Sequence, residues 1–215
     1  MIEYYNEDCM DGMKRYGDKH FDLCICDPPY GININMNMGR KKGEPIKHAV
    51  KKWDNSTPNK EYFDELFRVS KNQIIWGGNY FPLPLTKSWI YWDKEVPVGV
   101  DFADGELAWT SFDRTLKKAR MPYSGFIGSE GKRIHPTQKP VKLYKWLLHN
   151  YAKKGDLILD THVGSASSLI ACYLLGFSAV GFEMDEEYYK SSKERLENVM
   201  SQGLLFNSEV DKHNA

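Results

Sequence analysis

The stretch from Leu157 to Glu183 constrains the fold more than any other part of the chain. Leu157-Ile158-Leu159 is a short apolar run that ends in Asp160, and Thr161-His162-Val163-Gly164 follows as a turn. A helix is expected from Ser165 to Leu175, stopped by Gly176; a second apolar strand, Ala179 to Phe182, then ends in Glu183. Strand, turn, helix, strand and acid in that order make the first half of a nucleotide-binding α/β fold. In such sheets ligands lie beyond the carboxyl ends of the strands. Gly164, with the small residues Ser165 to Ser168 behind it, lets the backbone approach a ligand closely, and Asp160 could accept a hydrogen bond from an ammonium group. Glu183 follows Asp160 by 23 residues, near the ~20 expected of an acid that holds ribose hydroxyls. Neither G-x-G-x-x-G nor G-x-x-x-x-G-K-[ST] occurs, which favours a nucleoside without pyrophosphate, such as S-adenosylmethionine, over a dinucleotide. Asp-x-x-x-Gly at a strand end also occurs as a plain turn.

The rest of the chain fits one α/β domain with excursions: 215 residues, 41% hydrophobic and 27% charged, suffice for one sizeable core. Ile2 to Tyr5 reads as a strand, Asp11 to Tyr16 as a short helix, and Phe21 to Cys26 as a buried strand that stops at Asp27-Pro28-Pro29-Tyr30. Further helices are expected over Glu61 to Val69, Val141 to Tyr151 and Glu186 to Met200. Further strands are expected over Asn72 to Trp76, Trp89 to Trp92 and Glu106 to Trp109. Gly31 to Pro58 has no sustained period and reads as a long functional loop. The four cysteines, Cys9, Cys24, Cys26 and Cys172, form no C-x-x-C pair, so neither zinc nor a disulfide framework is expected. No apolar run approaches the ~20 residues of a membrane span, and charges interrupt the first thirty residues, so a cytoplasmic protein without a signal peptide is expected.

A formal net charge of zero argues at first against a nucleic-acid partner, but the charge is unevenly spread. Arg40, Lys41, Lys42, Lys47, Lys51 and Lys52 face a single acid, Glu44; Arg114, Lys117, Lys118, Arg120, Lys132 and Arg133 face Glu130. Arg40, Lys41, Lys42, Lys51, Lys52, Arg114, Lys117, Lys118 and Arg120 are therefore candidate phosphate contacts. Solvated loops account for such runs equally well.

Asp27-Pro28-Pro29-Tyr30 suits chemistry on an exocyclic amine, whose lone pair is delocalised into the base ring. Two acceptors, the Asp27 carboxylate and the Pro28 carbonyl, would take the two amine hydrogens and favour a tetrahedral nitrogen. Prolines fix φ and carry no N–H, which holds the strand-end carbonyls rigidly. Tyr30 offers a ring on which an extruded base can stack. Asp27 needs only its ordinary ionised state for this, and no metal is required.

The Asp-Pro-Pro-Tyr motif after an apolar strand, together with Asp160 to Gly164, resembles the β-group DNA amino-methyltransferases, in which the catalytic motif precedes the cofactor motif. His135-Pro136-Thr137-Gln138-Lys139-Pro140 and Trp76-Gly77-Gly78-Asn79 match two further stretches of that family, and the likeness runs from Tyr5 to about Met200. It implies a circularly permuted, Rossmann-like methyltransferase fold: a seven-stranded mixed sheet with helices on both faces, beginning at the family's third strand. It also implies a catalytic half over 1–93, a short target-recognition insertion over 94–132, a cofactor-binding half over 133–206 and a frayed tail over 207–215. The implied cofactor is S-adenosylmethionine, contacted by Asp8, Asp27, Thr137, Lys139, Asp160, His162, Gly164, Ser165 and Glu183, with Asp27, Pro28, Pro29 and Tyr30 catalytic. The implied partner is DNA, methylated at adenine N6, since enzymes acting on cytosine N4 more often carry Ser at the position of Asp27. RNA or protein substrates, and a binding module without turnover, are the other readings. The insertion is short, so target selection is either brief in sequence or assisted by the 31–58 loop or by a second subunit in a homodimer. At the cofactor turn the family usually reads D-P-F-x-G-S-G, and this chain departs from it with Thr161, His162 and Ala166.

Overall fold

The computed structural model describes residues 1–32, 54–97, 103–123 and 133–213, with side chains to residue 202. In chain order the elements are β1 (Ile2–Tyr5), α1 (Cys9–Met13), β2 (Phe21–Cys26), α2 (Lys60–Val69), β3 (Ser70–Trp76), β4 (Trp89–Asp93), β5 (Gly105–Thr110), β6 (Lys117–Arg120), α3 (Val141–Tyr151), β7 (Leu157–Asp160), α4 (Ser167–Leu175), β8 (Ser178–Phe182) and α5 (Glu186–His213). The strands form one sheet in the order β1-β8-β7-β2-β3-β5-β4-β6. From β1 to β3 neighbours are parallel, β5 is antiparallel to both β3 and β4, and β6 pairs parallel with β4.

The permutation expected from the motif order is visible in that topology. β7 and β8, from the end of the chain, lie between β1 and β2 from its beginning. Leu23 pairs with Ile158 and Cys24 with Leu159, so Asp27 and Thr161 leave the sheet beside each other. This is where the chain direction across the sheet reverses, the usual ligand crevice of an open α/β sheet.

Period-2 alternation splits the core into two layers. Leu23, Ile25, Ile74, Trp76, Ile90, Trp92 and Ala108 pack with α3 and α4 on one face. Cys24, Cys26, Ile75, Trp109, Leu159 and Phe182 pack with α1 and α2 on the other. All four cysteines are free and buried. No helix among the described residues is long and apolar enough to cross a membrane.

The described sheet has eight strands where seven were expected. The additional one is β6, Lys117-Lys118-Ala119-Arg120, in which Ala119 alone is buried; its charges made it read as a basic loop, because edge pairing through the backbone leaves no hydrophobic signature. β5 and β6 both fall within 94–132, so much of the described part of that segment belongs to the sheet. α4 starts at Ser167, not Ser165, because Ala166 is left-handed at φ +60°. The backbone of α5 continues to His213 through most of the expected tail.

Candidate active site and cofactor cavity

A cavity of about 760 Å³ opens beyond the ends of β2, β7 and β8, within the size range of nucleoside pockets. Asp8, Asp27, Thr137, Lys139, His162, Gly164, Ser165 and Glu183 all line it, drawn from five separate stretches of sequence. Asp160 does not line it. Its buried carboxylate accepts hydrogen bonds from the His162 amide at 3.0 Å and from the Ser168 hydroxyl, so it braces the turn from beneath.

The donor set suits S-adenosylmethionine. Glu183 follows β8 and accepts the Gly164 amide on Oε2 and the Asp185 amide on Oε1, both at 2.9 Å, which aims a carboxylate with about four lone-pair sites along the cavity wall. Asp8 caps α1 by accepting the Met10 amide at 2.8 Å and stands near the same end. Phe182, Met184 and Tyr188 add apolar wall for a base, and Gly164 at φ +54° keeps the turn low. His162 stands edge-on to Tyr62 with centroids 5.4 Å apart, and burial pushes its pKa down to about 4, so the imidazole that lines the cavity is neutral. Thr137 Oγ1 lies 3.1 Å from His135 Nδ1, which stiffens the turn before α3. Arg195, from α5, donates to the Ser165 carbonyl at 2.6 Å and to the Ser167 hydroxyl at 2.9 Å.

Two consequences of the turn are measurable. Burial pushes the Asp160 pKa up to about 7, despite its two hydrogen bonds. The unfolded chain ionises near 3.8, so Asp160 favours the fold below that pH and the benefit drains away as pH rises to about 7. His162 acts oppositely between about pH 4 and 6.5, gaining with pH, so the wild-type profile mixes the two. The difference between Asp160→Asn and wild type isolates the first: the variant should gain about 2–3 kcal/mol relative to wild type between pH 5 and pH 8, read by denaturant unfolding. At Ala166 a left-handed alanine costs about 1–2 kcal/mol, against about 0.8 kcal/mol for its buried methyl. Ala166→Gly should therefore stabilise the protein by about 0.5–1 kcal/mol in thermal melts.

Asp27 continues the alternation of Leu23 and Ile25 onto the α3 side of the sheet, where Lys139 meets it. Asp27 Oδ2 accepts from Lys139 Nζ at 2.6 Å, and Oδ1 accepts from the Tyr30 hydroxyl at 2.7 Å. Burial raises the Asp27 pKa, an effect the Lys139 ammonium partly reverses, so the environment is not the ordinary one the sequence suggested. Lys139 was expected among the cofactor residues; although it lines the cavity, its ammonium is spent on Asp27 and, at 3.0 Å, on Glu106. Pro28 is buried and Pro29 lines the cavity. The Tyr30 ring lies against Gly77, where a Cβ would come within 2.2 Å of it, and stacks on Tyr80 with centroids 5.1 Å apart. Any base stacking on Tyr30 therefore shares that ring with Tyr80.

Sequence reasoning missed Asp54, Glu106, Lys94 and Arg195. Asp54 accepts the amides of Tyr30 and Gly31 at 2.8 and 2.9 Å and so pins the loop after β2 from 23 residues or more away. Glu106 had one signal available, a charge opening an otherwise apolar strand. Of the candidate DNA contacts, Arg40, Lys41, Lys42, Lys51 and Lys52 lie outside the described residues. Arg114 donates to the Asn150 carbonyl at the far end of α3 from Lys139. Lys118 pairs with Asp93 and Arg120 with Glu95, leaving Lys117 exposed on β6. The described residues contain no cluster of three or more His, Cys, Asp or Glu side chains able to hold a metal.

A family model described as DNA methylase, of the N6/N4 type, matches residues 73–194. The type II methyltransferase M.HpaI of Haemophilus parainfluenzae is 25% identical over 86% of this chain and 71% of its own length. M.HinfI of Haemophilus influenzae is 25% identical over 89% and 67%. Among solved structures, M1.HpyAVI in complex with SAM superposes with a TM-score of 0.63 at 20% identity, covering 91% of this chain and all of the other. The cytosine-N4-specific PvuII DNA methyltransferase superposes at 0.60 with 14% identity, covering 94% and 92%.

Proposed function

Because this chain belongs to the N6/N4 DNA methylase family, we propose that it transfers a methyl group from S-adenosylmethionine to the N6 amine of adenine in DNA. One observation carries the reading: Asp27 shares a single cavity with Gly164 and Glu183, so an amine held by Asp27 faces a nucleoside cofactor held by the turn after β7.

When bound, S-adenosylmethionine supplies an electrophilic methyl carbon on a sulfonium. Glu183 and Asp8 would hold its nucleoside hydroxyls and amine, with the Gly164–Ser165 turn against it. Asp27 accepts one hydrogen of the target amine and the Pro28 carbonyl the other, which localises the nitrogen lone pair toward the cavity. Tyr30 and Tyr80 provide the aromatic surface for a base taken out of the helix. Target reading falls to the 94–132 segment, either alone or with help from residues 31–58 or from a second copy of the chain. The candidate phosphate contacts act by neutralising the backbone, so binding should weaken steeply with salt.

Asp at the first position of the motif favours adenine. Cytosine N4 presents the same amine chemistry, and PvuII methyltransferase, a cytosine-N4 enzyme by its name, shares the fold. Labelled methyl transfer to unmethylated duplex DNA, followed by nucleoside mass spectrometry, decides between them. N6-methyladenine is the expected product; N4-methylcytosine would move the assignment, and no product despite cofactor binding would overturn it.

A further inference from the structure

Glu106 sits on β5, two strands from Asp27, yet reaches the same ammonium. Its Oε2 lies 3.0 Å from Lys139 Nζ, and its Oε1 lies 2.6 Å from Lys94 Nζ. With the 2.6 Å Lys139–Asp27 contact this makes an alternating chain, Lys94, Glu106, Lys139, Asp27, of net charge zero, its inner end in the active site. Such a chain is an expensive way to fill a sheet. Desolvating two ion pairs costs more than apolar packing of the same volume, and Leu107, Ala108 and Trp109 show what β5 otherwise uses.

We propose that Glu106 is a positioning residue for methyl transfer: it holds part of the Lys139 ammonium and so leaves Asp27 a strong acceptor for the target amine. Tied to Asp27 alone, the ammonium would neutralise the carboxylate just where it must take a weakly acidic amine hydrogen. Shared between two carboxylates, it keeps Asp27 ionised in a buried place without spending its basicity. The two lysines outweigh burial and hold the Glu106 pKa down to about 2, so it stays anionic at any working pH. The groups facing Asp27 are Tyr30 on its own loop, Lys139 and Tyr144 at the start of α3, Glu106 on β5, and Asp160 at the end of β7. Of these, the Glu106 and Asp160 carboxylates oppose its ionisation, while Lys139 and the hydrogen bond donated by Tyr30 favour it.

This inference rests on the proposed function, and the test separates the two. In the cofactor-free protein with ¹³C-labelled aspartate, Glu106→Gln should lower the Asp27 carboxyl titration by about 0.5–2 pH units. The same variant should lose about tenfold in kcat on DNA. Its affinity for S-adenosylmethionine, by calorimetry, should stay within about twofold of wild type. Glu106→Asp restores the charge and should return the titration most of the way, which keeps the test intact if the glutamine variant folds poorly. An Asp27 titration and kcat unmoved in Glu106→Gln would overturn the proposal and leave Glu106 as a partner of Lys94. A wild-type protein that methylates no DNA would sink the functional reading alone, since the titration needs neither cofactor nor DNA.

Discussion

Asp27→Ala is expected to lower methyl transfer to duplex DNA by at least about 10³-fold while leaving S-adenosylmethionine binding within about tenfold of wild type. The two expectations come from different parts of the site. Asp27 is placed to take an amine hydrogen, and losing one such preorganised contact in a buried site costs about 10²–10³-fold in comparable enzymes. Here the change also strips the Tyr30 hydroxyl of its nearer acceptor at 2.7 Å, leaving Glu106 Oε2 at 3.4 Å. The cofactor end of the cavity is held independently, by Glu183 on the Gly164 and Asp185 amides and by Arg195 beneath Ser165. Folding should survive, because Lys139 keeps Glu106 as a partner. Filter binding of labelled product and calorimetry read the two halves; retained turnover would remove Asp27 from the chemistry.

The parts of this architecture that were legible in the sequence are those encoded by local pattern. Leu157 to Glu183 announced a strand, a turn, a helix and a strand because apolar runs, glycines and acids punctuate it, and β7, α4 and β8 lie there. Asp27 was found because prolines interrupt a buried strand. What stayed hidden depends on contacts distant in sequence. Glu106 and Lys139 are 33 positions apart and meet through a strand order that no local period encodes. Asp54 meets the Tyr30 and Gly31 amides from 23 or more positions away, and β6 was masked by lysines that say nothing about backbone pairing. The altered turn shows a third case. Ala166 stands where the family usually carries a glycine, and it holds a left-handed backbone that a glycine adopts without strain.

Lys139→Met should be the most damaging single change to the fold of the site, costing about 3–5 kcal/mol of stability at neutral pH in denaturant unfolding. Its side chain is 3% exposed, and its removal leaves two carboxylates, Asp27 and Glu106, without the cation between them. Methionine fills most of the volume, so the loss reports charge and not a cavity. The pH dependence carries the sign. Burial already raises the Asp27 pKa, and without Lys139 only the Tyr30 hydrogen bond is left to oppose it. A carboxyl whose folded pKa is raised favours the fold below its unfolded pKa and loses that benefit as pH rises through the folded value. The variant should therefore recover stability on acidification from pH 8 toward pH 5, and adding Asp27→Asn should restore much of the loss at pH 8 by removing the stranded charge. Methyl transfer in Lys139→Met should fall for the same reason, because a protonated Asp27 is a much weaker acceptor of an amine hydrogen. If the variant instead kept its stability and lost only affinity for S-adenosylmethionine, Lys139 would be a cofactor ligand, as the motif around it first suggested, and the charge chain through Glu106 would lose its centre.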